Sequence, residues 1–206
     1  MSLCLGSDEI AVALRASIIA PLIVRPLFGA SAIAVPRYAA SLTNVTGRAR
    51  LADYGKGSAA RIDDGLGYPT FAELLVAQRL RQAGWVSAWA SAYGGLRYVE
   101  SWRWDAAEPT LCPLPTHVLA VMDSIADIRR SLTGGAKRSF GGILDVIAWR
   151  KTEILMVECK RQNEDRLRRT QEEWMHCALL AGLGALQLGV FEWQAPDSTP
   201  TLSNLN

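Results

Sequence analysis

Two acidic residues and one lysine have types and spacing that could do chemistry. Asp145 lies in an apolar run, and Glu158 and Lys160 stand two residues apart in the next run. Two carboxylates held close together repel each other unless a cation or a proton joins them, and their hard oxygens suit Mg²⁺. A lysine beside them orients a water molecule or neutralises a phosphate oxygen. These groups are sufficient for metal-assisted hydrolysis of a phosphodiester.

A β-hairpin is the element that must bring the three residues together. Residues 143–149 and 153–160 both have strand composition, and a short polar connection separates them. With a two-residue loop, Asp145 lies opposite Glu158, and their Cβ atoms are about 4.5–5.5 Å apart. Lys160 shares that face because side chains alternate along a strand. A register slip of two residues leaves all three on one face.

A surface hairpin with ordinary Glu–Lys pairs is the alternative interpretation of this segment. Residues 154–157, directly before Glu158, are strongly apolar, which is not typical of a solvated hairpin face. Aspartate is also disfavoured in the middle of a strand, so Asp145 has no obvious structural reason to be there. Both observations favour a functional site.

The remaining pattern predicts an α/β domain with a mixed sheet. A helix is predicted after Thr70, because Thr70 and Glu73 match a capping box and Gly84 can end the helix. Residues 96–139 are predicted to be an insertion after the first strand. The other predicted elements are a strand at 85–93, a helix at 117–132, a helix at 166–181 and a strand at 185–193.

The chain of 206 residues is long enough for one domain with a sizeable core. We assign that domain to residues 67–194, with a loosely organised segment of unknown role at 1–66 and a flexible tail at 195–206. The apolar stretch at 18–35 contains prolines and an arginine, so it is too broken for a membrane-spanning helix or a signal peptide.

The charge distribution is uneven along the chain. The net charge is only +2, from 22 basic and 20 acidic residues, but residues 129–169 contain eleven basic and five acidic ones. Such a segment is typical of a surface that follows nucleic-acid phosphates. An ordinary solvated surface is the alternative.

Cysteine and histidine usage argues against a zinc cluster or a disulfide framework. None of the four cysteines forms a CxxC pair, and the two histidines stand far apart. Reduced, buried cysteines in a cytoplasmic protein fit this pattern best.

Asp145, Glu158 and Lys160 resemble the signature of the PD-(D/E)XK nucleases. Asp145 is followed by Glu158-x-Lys160 on the next strand, as in that superfamily. The finer resemblance is to its VRR-NUC branch, in which the ExK strand is followed by a helix with a Gln, a Trp and a closing Gly. Those residues are here Gln171, Trp174 and Gly182.

The resemblance extends to the first helix, whose family glutamate corresponds to Glu73. It covers residues 70–193, apart from the insertion at 96–139. Two positions depart from the family pattern. Leu144 stands where the family often has a proline, and Arg168 stands where a Ser or Thr often caps the Gln helix. Neither change alters a side chain that would contact metal.

The resemblance implies a restriction-endonuclease-like α/β fold, a mixed β-sheet flanked by helices with an αβββαβ core. It also implies a Mg²⁺-dependent (or Mn²⁺-dependent) endonuclease acting on DNA, with branched or single-stranded DNA among the candidate substrates. Repair, recombination, phage and defence are the contexts it suggests. No membrane partner is expected, and a homodimer is one option for assembly.

The resemblance also implies a role for each residue of the site. Asp145 and Glu158 would bind the metal through their carboxylates, and the Cys159 backbone carbonyl would add a ligand. Lys160 would position the attacking water or stabilise the transition state.

Two residues on helices have both a functional and a structural interpretation. Glu73 would reach the metal directly or through water, or would serve only the capping box. Gln171 would hydrogen-bond near the lysine or the phosphate, or would be a polar residue at the edge of the buried helix stripe.

DNA contacts are expected from arginines that follow the ExK strand. Arginine binds backbone phosphates in a bidentate manner, although solvated charges are the alternative. The four arginines are Arg161, Arg166, Arg168 and Arg169.

Trp102 and Trp104 could stack on bases, or pack in the core.

Two other functions remain open at the level of the sequence. One is a catalytically inactive nucleic-acid-binding module of the same fold. The other is a plain interaction domain in which the ExK pattern is accidental. The intact Asp145, Glu158 and Lys160 favour the enzyme, and Mn²⁺ titration separates the metal-binding hypothesis from the accidental one.

Overall fold

The computed structural model describes residues 6–25, 27, 29, 31–45, 62–66, 69–91, 96–101, 109–137 and 139–195. Within this part of the chain, helices cover both faces of one large sheet. The helices are α1 (Ser7–Leu14), α2 (Ala72–Gln82), α3 (Thr116–Thr133) and α4 (Arg169–Leu180).

Eight strands form the large sheet in the order β1-β2-β10-β9-β8-β5-β6-β7, and β3 pairs with β4 in a separate small sheet. In the large sheet, β10 is parallel to both of its neighbours and the other pairs are antiparallel. The architecture is therefore mixed α/β with a mostly antiparallel sheet flanked by helices. The strands are β1 (Ser17–Val24), β2 (Ile33–Ser41), β3 (Ile62–Asp63), β4 (Pro69–Thr70), β5 (Val86–Ser91), β6 (Arg97–Ser101), β7 (Thr110–Leu111), β8 (Val146–Arg150), β9 (Glu153–Arg161) and β10 (Leu188–Gln194).

The sheet separates two hydrophobic cores. One contains residues of α1 and α2, and the other contains residues of α3 and α4. Along β9, Leu155 and Val157 belong to the α1–α2 core, and Met156 belongs to the α3–α4 core. Because side chains alternate, Glu158 and Lys160 continue the series on the α3–α4 face.

The predicted helix at 117–132 is confirmed as α3. Its buried residues Val118, Met122, Ile125 and Ala126 follow helical spacing, so one stripe packs against the sheet. Gly134 ends the helix with φ +68 in the left-handed region, which glycine adopts without a Cβ clash. Burying Val118, Met122 and Ile125 contributes about 1.5–3 kcal/mol each.

The N-terminal segment is more ordered than the sequence predicted. Residues 1–66 were expected to be loosely organised, but α1, β1 and β2 lie within them. The β2 strand joins the sheet through parallel pairing with β10, including Val190 opposite Arg37. This pairing spans most of the chain length, and local sequence patterns do not reveal it. Pro21 fits because β1 is an edge strand with an irregular register there.

Three predicted boundaries are wrong in detail. Thr70 lies in β4 rather than capping α2, which begins after Phe71 without a side-chain cap. The strand predicted at 143–149 begins at Val146, and the last strand is preceded by a 3₁₀ turn at Ala185–Gln187. The helix predicted at 166–181 is confirmed as the shorter α4.

The insertion and the tail are described only in part. In residues 96–139, β6 and β7 extend the sheet beyond β5, and α3 covers one face. Trp102, Trp104 and most of the tail predicted at 195–206 lie outside the described residues. Among the helices of the described ranges, none combines the length and the apolar composition needed to cross a membrane.

Candidate metal-dependent active site

The β8–β9 hairpin has the register that the sequence predicted. Val146 pairs with Val157, and the pairing continues to Arg150 opposite Glu153 across a two-residue loop. Continuing the ladder by one step places Asp145 opposite Glu158. Asp145 itself lies just before β8, and its carbonyl accepts a hydrogen bond from a β5 backbone N–H at 2.8 Å.

The site forms where β8 ends beside the longer β9. On its other side, β9 stays paired with β10 as far as Arg161. The carboxylate of Asp145 fills the first position beyond β8 and accepts a hydrogen bond from the Cys159 backbone N–H at 2.9 Å. A side chain therefore replaces the missing backbone partner, which fixes the Asp145 carboxylate against β9.

Glu158 is a buried carboxylate with two unlike oxygens. Its residue is 1% exposed, and Oε1 lies 2.7 Å from the Lys160 Nζ and accepts a hydrogen bond from the Gln171 amide. Oε2 is buried and, among the described residues, has no hydrogen-bond donor. The Asp145 carboxyl is also within hydrogen-bond contact of Glu158, but such a bond needs a proton on one of the two. When both are ionised, Oε2 lacks a donor.

Burial is the main influence on the pKa of Glu158, and it raises that pKa above its ordinary value. The charge and hydrogen bond of Lys160 and the hydrogen bond with Asp145 act in the opposite direction, and the charge of Glu73 raises the pKa further. Burial therefore makes the ionised form of Glu158 costly despite the nearby Lys160. A proton or a cation stabilises the site.

Gln171 orients the Glu158 carboxylate from the first turn of α4. Its Nε2 donates to Glu158 Oε1, and its Oε1 accepts a hydrogen bond from the Arg168 backbone N–H at 2.8 Å. Both ends of the amide are thus used, and the side chain is 8% exposed. Gln171 thus satisfies the Arg168 N–H, while its own backbone N–H donates to the Arg168 carbonyl at 2.9 Å instead of to a Ser or Thr side chain at position 168.

A close backbone approach sets the distance between Asp145 and α4. Gly142, three residues before Asp145, has φ +88, and a Cβ there would overlap the Thr170 carbonyl and lie 2.9 Å from the Gln171 nitrogen. Only glycine fits this conformation and this contact. The requirement for Gly142 was missed in the sequence, where the Gly141-Gly142 pair is visible but its contact is not.

Glu73 lies in the first turn of α2 and is half-buried. Its charge acts on Glu158, so the two acidic groups belong to one electrostatic environment. The predicted capping box with Thr70 is wrong, because Thr70 lies in β4 and α2 has no side-chain cap. The contact of Glu73 with a metal stays a prediction.

The four arginines are not equivalent in the structure. Arg161 is paired with Glu164 at 2.7 Å, within its own turn. Arg166, Arg168 and Arg169 are exposed at the approach to α4. The Arg169 side chain is 79% exposed although its Nε lies 3.2 Å from a Glu173 oxygen. Two exposed arginines therefore precede α4, and a third, which also contacts Glu173, lies in its first turn.

A buried ion pair beneath this surface was also missed in the sequence. Arg129 of α3 lies 3.0 Å from the Glu173 carboxylate of α4, and both side chains are 11% exposed. Charged residues on helix patterns are usually solvated, so neither was a candidate. The two residues are 44 positions apart in the chain, so no local sequence pattern indicates their contact.

The described residues contain no cluster of three or more His, Cys, Asp or Glu side chains placed to hold a metal ion. The acidic pair therefore offers two carboxylates, and no third acidic side chain of the described residues joins them in such a cluster. A cleft of about 200 Å³ lies elsewhere, beside α1 and α2. Its lining includes Arg15, Arg79, Asp63 and Asp64, so charges of both signs meet there.

Comparison of the chain with protein-family models, with curated proteins and with solved structures gives no match.

Proposed function

We propose that this chain is a metal-dependent nuclease that hydrolyses phosphodiester bonds in DNA, with Mg²⁺ or Mn²⁺ held by Asp145 and Glu158. The observation that carries the proposal is the pairing of two carboxyls around a buried oxygen without a donor, Glu158 Oε2. Leaving a buried acceptor unsatisfied is costly, and a divalent cation supplies the missing positive charge.

The backbone of β9 offers a further oxygen at the same place. In an antiparallel ladder the N–H and C=O of one residue point to the same neighbour. Because the Cys159 N–H meets the Asp145 carboxylate, the Cys159 carbonyl is directed to the same side, where β8 has ended. Two carboxylates and a carbonyl are a set of hard ligands that suits Mg²⁺. Glu73 of α2, whose charge acts on Glu158, would join this set only through water.

The chain's own residues perform the remaining steps. Lys160 lies 2.7 Å from Glu158 Oε1, so its ammonium is held beside the proposed metal site. From there it orients the attacking water or stabilises charge on a phosphate oxygen. Gln171 keeps the Glu158 carboxylate in one orientation. A bound divalent ion supplies Lewis-acid stabilisation of the charge that develops on the phosphate.

The arginines at the approach to α4 are the proposed contacts with the DNA backbone. Arg166 and Arg168 are exposed just before α4, and Arg169 is exposed in its first turn, close in the chain to Gln171. Guanidinium groups bind phosphate oxygens in a bidentate manner and fix the register of a strand without reading its sequence. Arg161 contributes less to this surface because Glu164 pairs with it.

The order of elements supports the finer assignment of the fold. From α2 onward, and without the insertion, the chain runs α2-β5-β8-β9-α4-β10. That is the αβββαβ order implied by the resemblance to PD-(D/E)XK nucleases and their VRR-NUC branch. The proposed active site falls on the second and third strands of that order.

A nucleic-acid-binding module that does not cleave is the second candidate. The observation that favours it is the ion pair between Lys160 and Glu158, which neutralises one carboxylate without any metal. In that case the acidic pair has a structural role, and the exposed arginines bind nucleic acid without hydrolysis.

Cleavage of a panel of DNA substrates by the full chain tests the proposal. Duplex, flap, junction and single-stranded DNA are incubated with Mg²⁺ or Mn²⁺ and wild-type, Lys160→Ala or Asp145→Asn protein. Lys160→Ala should lower the cleavage rate on the order of 10²–10³-fold, because it removes one preorganised charge from the transition state. Asp145→Asn should weaken Mn²⁺ binding, so extra Mn²⁺ should partly restore Asp145→Asn and not Lys160→Ala.

Lys151→Ala is the matched control, since Lys151 is exposed in the loop of the same hairpin. It should cleave like wild type. Full activity of Lys160→Ala, with a contaminating nuclease excluded, contradicts the mechanism. Binding of DNA and Mn²⁺ with no cleavage of any substrate favours the second candidate.

A further inference from the structure

The segment that leads to Asp145 rests on α3 and α4 through every one of its residues 139–142. The Arg129 Nη1 donates to the carbonyls of Ser139, at 3.4 Å, and Gly141. The ring of Phe140 packs against Trp174 with centroids 6.0 Å apart. Gly142 lies against the start of α4, as described above.

Arg129 connects this segment to α4 with a single guanidinium group. Its Nε and Nη2 lie 3.2 and 3.0 Å from Glu173 Oε2, while its Nη1 faces the segment 139–142. The other Glu173 oxygen accepts a hydrogen bond from Arg169. The planar guanidinium thus fixes three parts of the chain at once: α3, α4 and the residues that precede Asp145.

We propose that Arg129 is a positioning residue for the acidic pair. Through Glu173 it holds the helix that carries Gln171, and through the carbonyls of 139–142 it holds the backbone that places Asp145. The distance between Asp145 and the Gln171–Glu158 pair then depends on Arg129, although the described hydrogen bonds of Arg129 go to other residues. This inference rests on the proposed function, because it concerns the geometry in which those carboxylates bind a divalent cation.

Mn²⁺ binding measured by calorimetry on the full chain tests this role. Arg129→Gln should lower Mn²⁺ affinity about 10-fold, the lower end of the range for groups bonded directly to metal ligands, because Arg129 acts through α4 and the residues 139–142. Arg129→Lys should remain weakened, because one ammonium cannot bridge the Glu173 carboxylate and the loop carbonyls in the way a guanidinium fork does. It keeps the charge opposite Glu173, so it serves as the folded comparison if Arg129→Gln does not fold.

Arg130→Gln is the matched control. Arg130 is the next residue of α3, and its side chain is 43% exposed. The ion pair described for it is with Asp127 of the same helix. It should bind Mn²⁺ like wild type. Circular dichroism and urea unfolding of each variant are measured alongside.

The outcomes separate three cases. A lower Mn²⁺ affinity in a folded Arg129→Lys, with Arg130→Gln unchanged, supports the positioning role. A loss of unfolding free energy with unchanged Mn²⁺ affinity overturns it and leaves Arg129 a purely structural residue. Failure of wild-type protein to bind Mn²⁺ overturns the proposed function and, with it, this inference.

Discussion

The contact between Gly142 and the start of α4 makes a specific prediction for Gly142→Ala. Gly142 has φ +88, and its Cα faces the backbone of Thr170 and Gln171 so closely that an added Cβ overlaps the Thr170 carbonyl. The neighbouring atoms are backbone atoms at the first turn of a helix, so they cannot move as a flexible side chain would. The variant must shift α4, the segment 139–142 or both.

Two costs add at this position. An alanine in the left-handed region costs about 1–2 kcal/mol of unfolding free energy. Overpacking against a rigid neighbour costs a further 1–3 kcal/mol, roughly. Gly142→Ala should therefore lose about 2–5 kcal/mol, a large share of the roughly 5–15 kcal/mol that stabilises a typical domain.

Gly84→Ala separates the two costs. Gly84 has nearly the same φ, +86, but a Cβ there meets nothing within 4 Å. Gly84→Ala should therefore lose unfolding free energy only through backbone strain. Urea unfolding of both variants, with the free energy extrapolated to water, gives the difference, which we expect to be about 1–3 kcal/mol.

The same variant should also affect the site. Moving the start of α4 displaces Gln171 from Glu158, so Mn²⁺ affinity should fall in Gly142→Ala and stay unchanged in Gly84→Ala. If Gly142→Ala costs no more stability than Gly84→Ala, the close approach is not a constraint and the reasoning about α4 placement is refuted.

Two further predictions concern charge. Replacing Arg166, Arg168 and Arg169 together by Ala should weaken DNA binding and flatten the dependence of log affinity on log salt, because fewer phosphates are neutralised; an unchanged slope in a binding titration would remove this surface from the DNA contacts. Burial raises the pKa of Glu158, so the metal-free folded state holds its proton to higher pH than the unfolded state does. The unfolding free energy of the metal-free protein should accordingly decrease as pH rises from the unfolded pKa, about 4.3, through the folded pKa. Glu158→Gln should lack this component, and parallel pH curves for wild type and Glu158→Gln in urea unfolding would contradict it.

The hairpin follows from the sequence, and its register follows once the loop is taken as the two residues 151–152. A two-residue connection between two apolar runs leaves few pairings, and the period of two places Glu158 and Lys160 on one face. The observed register, with Val146 opposite Val157, is the one that this argument predicts. The helix α3 could equally be predicted from the sequence, because its apolar spacing and its terminal glycine are local features.

Only the tertiary structure shows which long-range contacts position the residues of the site. The pairing of β2 with β10, the ion pair of Arg129 with Glu173 and the contact of Gly142 with Thr170 join residues far apart in the chain. Such contacts depend on how whole elements pack, and no local periodicity encodes them. The unlike environments of the two Glu158 oxygens have the same origin: Gln171 and Lys160 reach Oε1 from different elements, and burial leaves Oε2 without a donor among the described residues. The sequence therefore determines which groups lie on the site face, and packing determines the geometry and charge balance in which they meet.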